Sequence, residues 1–104
     1  MKTTLDTAIT MGSGDVFTDL GFSPAESRNL RLRSQMTTAL RKFIEKEGLT
    51  QADAAKRLKV SQPRISDLMR GKISRFSVDT LVNMLSDAGL EVDFRIKTTS
   101  RRVA

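Results

Sequence analysis

The sequence predicts a mainly α-helical domain that ends in a single β-strand. Three observations support this fold class. Four segments begin with a helix-capping Ser or Thr, their apolar residues recur at helical spacing, and the period changes to strict alternation after Gly89. The chain has 104 residues, a length that suits one small domain.

The first predicted helix begins after Ser23 and runs to about Glu47. Ser23 can cap it, Pro24 suits its first position, and Glu26 completes a capping box. Gly48 supplies the stop. The apolar stripe at helical spacing consists of Leu32, Met36, Leu40 and Phe43, widened by Ala39 and Ile44.

Two short helices follow, with the spacing of a helix-turn-helix. Thr50 caps the first, predicted over residues 51–58, and Ser61 caps the second, predicted over residues 62–70. A turn at Lys59 and Val60 separates them, and Ala55 is small where they cross. The apolar contacts between the two helices are assigned to Leu58, Val60, Ile65 and Leu68. With Ile65 and Leu68 facing inward, the polar residues of the second helix must face outward.

A fourth helix is predicted over residues 78–88, between the cap Ser77 and Gly89. From residue 90 to 97 apolar and charged residues then alternate, which predicts a half-buried strand. The apolar positions are Leu90, Val92, Phe94 and Ile96. Because one strand cannot form a sheet alone, we predict that it pairs with its copy in a homodimer. The alternative is pairing within the chain, with residues 15–22.

Both ends of the chain are predicted to be flexible: residues 1–22 as an N-terminal segment and residues 98–104 as a disordered tail. The helix-turn-helix domain accordingly spans residues 23–89. The N-terminal segment is acidic, with three Asp against one Lys, and carries Phe17, Leu20 and Phe22. These apolar residues either cap the helical bundle or bind a partner protein.

Charge and composition point to a polyanionic partner. The net charge is +6, and residues 50–75 carry seven basic and two acidic residues.

The chain has no Cys and no His, no phosphate-binding loop and no clustered carboxylate pair. We therefore expect no enzyme, no catalytic residue, no cofactor and no metal site. With no signal-peptide-like or membrane-length apolar run, a cytoplasmic protein without membrane contact is expected.

The run GLTQADAAKRLKVSQPRISDLMRGK resembles the lambda-repressor-like helix-turn-helix family, also called the xenobiotic-response-element family. The resemblance implies a lambda-repressor-like helical bundle whose second motif helix enters the major groove of DNA. The shared residues are Thr50, Gln51, Ala55, Leu58, Val60, Ser61, Gln62, Ile65, Leu68, Gly71 and Lys72. Lys59 departs from the pattern, because relatives usually carry Gly there. If Lys59 is left-handed, its side chain costs of order 1 kcal/mol.

A wider resemblance, over residues 15–96, is to the HigA-like subgroup of type II antitoxins. It implies a protein that neutralises a RelE-like mRNA-cleaving toxin and represses its own operon. Phe17, Leu20 and Phe22 are then candidates for the toxin contact, because they lie in an acidic segment and toxins of that family are basic. One alternative is a stand-alone phage- or plasmid-type regulator without a toxin. Another is a protein-interaction module whose basic helices bind an acidic protein.

The candidate DNA contacts follow from position and chemistry. Gln62 is the best base reader, because its amide can bond adenine at two points, and Arg64 is assigned to guanine or phosphate. Ser66 is small enough to permit close approach of the helix to DNA. Asp67 accepts a hydrogen bond from the amino group of cytosine or pairs with Arg64 or Arg70. The full set expected at double-stranded DNA with a palindromic operator is Thr50, Gln51, Ser61, Gln62, Arg64, Ser66, Asp67, Arg70, Lys72 and Arg75.

Overall fold

The computed structural model describes residues 16–98, and its four longer helices begin where the capping residues predict. Helix α1 is Val16–Asp19, α2 is Pro24–Glu47, α3 is Gln51–Leu58, α4 is Gln62–Met69, a 3-10 helix is Ile73–Arg75, and α5 is Val78–Asp87. The four helices predicted from residue 24 onward are confirmed. Helices α4 and α5 each end one residue before the predicted limit.

Helix starts are fixed by side-chain caps of the predicted kind. The Ser23 hydroxyl accepts a hydrogen bond from the Glu26 N–H at 3.2 Å, and Glu26 Oε1 accepts from the Ser23 N–H at 3.1 Å. This reciprocal pair is the capping box expected at the start of α2. At the other end Gly48 adopts the left-handed conformation, with φ of 64°, and stops the helix.

The helices from α2 onward enclose one apolar core. Helix α2 packs along α5, and α3 packs against both α4 and α5. The buried apolar residues are Met36, Ala39, Leu40, Ile44, Ala54, Leu58, Ile65, Leu68, Phe76, Leu81, Met84, Leu85 and Ala88. In α3 the fully buried small residue is Ala54, whereas Ala55, predicted to lie at the close crossing, is half-buried. Leu32 lies outside the core, at 41% exposed, because the part of α2 that contributes to the core begins at Met36.

Residues 90–98 follow α5 without forming a strand in the single chain. Leu90 and Val92 pack against the core, whereas Phe94 and Ile96 are 79% and 86% exposed. A strand needs a hydrogen-bonded neighbour, and residues 16–98 supply none. The alternative of pairing with residues 15–22 is not found over 16–22, where the chain forms α1 and a turn. Pairing between copies stays a prediction.

The N-terminal segment enters the described part of the chain at α1, which packs against α2. The Phe17 carbonyl accepts hydrogen bonds from the N–H groups of Leu20 and Phe22, at 3.2 and 3.1 Å. The two Phe rings meet edge to face, with centroids 6.3 Å apart. The predicted flexibility of residues 1–15 and of the tail after Thr98 lies outside the described residues. Between residues 16 and 98 no helix is both long and apolar enough to cross a membrane.

Candidate nucleic-acid interface

The candidate site is built on α3, the turn after it and α4. The Thr50 hydroxyl accepts from the Asp53 N–H at 3.0 Å, and the Ser61 hydroxyl accepts from the Arg64 N–H at 3.3 Å. Between the two helices Lys59 is left-handed, with φ of 60° and ψ of 41°. Lys59 therefore adopts the left-handed conformation for which the sequence analysis expects a cost in backbone energy. This turn fixes the crossing of α3 and α4 and so the direction in which α4 points.

Helix α4 has one buried face and one open face. Ile65 and Leu68 are fully buried, and they anchor the helix against the core. Gln62 and Arg64, in the first turn of the helix, are exposed. The orientation that base reading requires is thus present: the first turn of α4 presents polar side chains outward, while its apolar residues hold it in place.

Arg64 is exposed but already engaged within the protein. Its Nη1 donates to the Arg75 carbonyl at 2.7 Å, and its guanidinium lies 5.4 Å from the centre of the Phe76 ring. Arg64 therefore holds the 3-10 helix against α4. To reach a base or a phosphate, its guanidinium would have to leave these partners.

Asp67 pairs with Arg75, not with Arg64 or Arg70 as expected from the sequence. The Arg75 Nη1 lies 3.4 Å from Asp67 Oδ2, and the Asp67 side chain is only 18% exposed. The tertiary structure decides this pairing, because the 3-10 helix returns along α4 after Gly71. Arg70 and Lys72 form no ion pair with any carboxylate of residues 16–98, so their charges are available to a polyanion.

All ten predicted residues lie on the helix-turn-helix, on the 3-10 helix that follows it or in the turn between them. Half-buried positions are Ser66, Asp67 and Lys72. The exposed positions are Thr50, Gln51, Ser61, Gln62, Arg64, Arg70 and Arg75. Gln51 and Gln62 occupy the equivalent first positions of α3 and α4, where backbone N–H groups point outward.

Three residues that support the site are absent from the sequence prediction. Phe76, 1% exposed, anchors the 3-10 helix in the core. Arg33 and Arg41 of α2 donate to the carbonyls of Phe76 and Leu68, at 3.1 and 3.5 Å. A signal existed for Phe76, since an apolar residue directly before a helix cap often packs onto that helix. For the two arginines we find no sequence signal, because their partners are backbone atoms 27 and 43 residues away.

Comparison with known proteins agrees with this geometry. The family model described as a helix-turn-helix domain matches residues 16–97. A solved structure assigned to the XRE family of transcriptional regulators is 36% identical, with a TM-score of 0.63. That match covers 79% of this chain and 92% of the other. No curated protein sequence matches the chain.

Proposed function

The chain belongs to the helix-turn-helix domain family, within the XRE group of transcription regulators, and on that premise we propose that it is a sequence-specific DNA-binding repressor. The observation that carries the proposal is the open face of α4. Gln62 is exposed in its first turn, while Ile65 and Leu68, further along the helix, are fully buried. A helix anchored in this way can enter a major groove without losing its own packing.

The proposed contacts divide into one base reader and several phosphate contacts. Gln62 bonds the exposed edge of adenine. Gln51 lies at the start of α3, and Arg70 and Lys72 have no carboxylate partner within residues 16–98. These three residues bind backbone phosphates on either side of the groove. Arg64 serves mainly to hold the 3-10 helix, because its guanidinium is occupied by the Arg75 carbonyl. The remaining predicted contacts, Thr50, Ser61, Ser66, Asp67 and Arg75, line the same surface.

We propose further that the repressor is a homodimer on a palindromic operator. One helix-turn-helix contacts a short half-site, and a two-fold dimer doubles the contact across half-sites about 34 Å apart. The segment 90–97, which leaves Phe94 and Ile96 uncovered in the single chain, is the proposed dimer contact.

A finer proposal is that the protein is the antitoxin of a RelE-like toxin. It rests on the resemblance of residues 15–96 to the HigA-like subgroup. The surface at α1 is compatible with a protein contact, because Leu20 is 68% and Phe22 40% exposed beside a half-buried Phe17. Exposed apolar side chains that lie together commonly mark an interaction site.

DNA binding is tested by fluorescence anisotropy on the chain's own upstream region against a scrambled duplex of equal length. We expect at least ten-fold tighter binding to the upstream duplex and a steep salt dependence. Gln62→Ala should remove most of that preference. Asn83→Ala is the matched control, because it truncates an exposed amide on α5, outside the helix-turn-helix. Equal affinity for both duplexes would refute sequence-specific binding.

The antitoxin proposal is tested separately, by co-purification with the product of an adjacent reading frame encoding a basic RelE-like protein. Leu20→Asp with Phe22→Asp should abolish the complex, and so should deletion of residues 1–22. DNA affinity should remain unchanged. Asn83→Asp is the control, since it introduces an acidic group at an exposed position on α5. Toxin binding that survives the deletion would place the interface elsewhere.

A further inference from the structure

The segment after α5 carries an apolar face that is only partly buried in the single chain. Leu90 and Val92 lie against the core, and the same alternation continues to Phe94 and Ile96, which are 79% and 86% exposed. In an extended chain these four even-numbered residues share one face. That face is therefore covered by the protein's own domain over its first half and uncovered over its second half.

The other face of this segment carries charges in a particular order. Glu91 and Asp93 are acidic, Arg95 and Lys97 are basic, and all four are exposed. An acidic half followed by a basic half is complementary to its own reverse. We propose that residues 90–98 pair antiparallel with the same residues of a second copy, in a register centred on Phe94. This inference rests on the proposed homodimer and specifies its geometry.

In that register residues directly opposite one another lie on the same face of the two-stranded ribbon. Asp93 lies opposite Arg95 of the second copy, and Glu91 lies opposite its Lys97. By symmetry each of these pairs forms twice. On the apolar face Phe94 meets Phe94, and Val92 meets Ile96.

Neighbouring registers fail on charge or on pattern. Centring the ribbon on Asp93 or on Arg95 places two like charges opposite each other on the two-fold axis. Centring it on Val92 or on Ile96 sets Glu91 against Asp93, or Arg95 against Lys97. A register centred between two residues sets apolar side chains opposite charged ones. Parallel, in-register pairing sets every charge against its own copy.

The surface of the domain fits the same register. Beside the last turns of α5, a shallow pocket is lined by Val82, Ser86, Leu90 and Val92. Val82 is 37% exposed there. Because Ile96 of the second copy lies opposite Val92, its side chain would cover this pocket. The exposed apolar residues of each copy are then covered by the domain of the other.

Introduced cysteines test the register, since the chain has no Cys of its own. Phe94→Cys in the full chain should form a disulfide-linked dimer under mild oxidation, because opposite Cα atoms lie about 4.5–5.5 Å apart. Ile96→Cys should not, because the two copies of residue 96 are about 13 Å apart along the ribbon. The double variant Val92→Cys, Ile96→Cys should link again. Linking of Ile96→Cys alone, or failure of Phe94→Cys, would overturn the register.

A charge exchange provides a second test that leaves the apolar face intact. Asp93→Arg or Arg95→Asp alone should weaken the dimer roughly ten-fold or more, as measured by sedimentation equilibrium, because two attractive pairs become repulsive. The double exchange restores opposite charges in the same register, and the dimer constant should return to within about three-fold of the original. A double variant as weak as the weaker single variant would refute the pairing. Thermal unfolding of each variant checks that the domain itself is intact.

Failure of this inference and failure of the proposed DNA function give different results. A protein that binds its upstream duplex but does not link through Phe94→Cys retains the function and loses this dimer geometry. A protein that links through Phe94→Cys but binds all duplexes equally retains the dimer and loses the proposed repressor function.

Discussion

Lys59→Gly should stabilise the protein, against the usual direction of a change to glycine. Lys59 is left-handed, with φ of 60°, in the turn between α3 and α4, and its N–H donates to the carbonyls of Ala55 and Lys56. Glycine keeps those hydrogen bonds, since they involve only the backbone. What the substitution removes is the contact between a β-carbon and the neighbouring carbonyl, which makes this conformation costly for other residues.

The expected size of the effect follows from three contributions. Removing the left-handed strain gains about 1–2 kcal/mol. Glycine increases the entropy of the unfolded chain, which costs about 0.5–1 kcal/mol. The lost ion pair between Lys59 Nζ and Asp87, 3.7 Å apart with the Lys side chain 76% exposed, costs at most a few tenths of a kcal/mol. The net gain in the free energy of unfolding is roughly 0.5 kcal/mol, or about 2–4 °C in Tm.

Thermal and urea unfolding followed by circular dichroism would measure this effect, with two control variants. Lys59→Ala loses the ion pair but keeps the strained backbone, so it should be slightly less stable than the original protein. Asp87→Asn loses only the ion pair, and its small effect should vanish at high salt. The reasoning is refuted if Lys59→Gly is no more stable than Lys59→Ala.

Four further variants test the core, the turn after α4 and the DNA contacts. Phe76→Ala should lower the free energy of unfolding by about 3–5 kcal/mol in urea titrations, because the ring is fully enclosed; a loss below about 1 kcal/mol would contradict its role as an anchor. Gly71→Ala should cost about 1–2 kcal/mol by the same measurement, since φ is 73° and a β-carbon would lie 3.4 Å from Arg41 Nη1; an unchanged midpoint would contradict this. In salt titrations of duplex binding, Arg70→Ala should lower the slope by about 1 without changing base preference. Gln62→Ala should relax base preference at a cost of about 1–3 kcal/mol on the best site, and the opposite assignment of these two effects would refute the division into phosphate contact and base reader.

The four longer helices and their limits could be predicted from the sequence because each is encoded by neighbouring residues, whereas α1 and the 3-10 helix were not predicted. The capping box of Ser23 and Glu26, the caps Thr50 and Ser61, and the stop at Gly48 act over a few positions, so they can be read directly. The buried positions Ile65 and Leu68 follow from periodicity in the same way. These local signals suffice to place a helix-turn-helix and its open face.

The ion pair of Asp67 and the hydrogen bond of Arg64 could not be predicted, because both depend on how the chain turns back after Gly71. That turn brings Arg75 to Asp67 and Phe76 beneath Arg64, and it determines that Arg64 holds the 3-10 helix. The segment 90–97 illustrates the same limit. Its alternation is clear in the sequence, but an extended segment becomes a strand only when a neighbour supplies hydrogen bonds, and residues 16–98 of one chain supply none.

The sequence alone determined the four longer helices, the motif and the side of α4 that faces outward, because caps and periodicity are properties of residues close together in the chain. Only the tertiary structure decided which cations on that face are already paired and which remain available to DNA. Asp67 neutralises Arg75, while Arg70 and Lys72 have no carboxylate partner within residues 16–98. The physical reason is that an ion pair depends on separation in space, and these separations are fixed by how the 3-10 helix packs against α4.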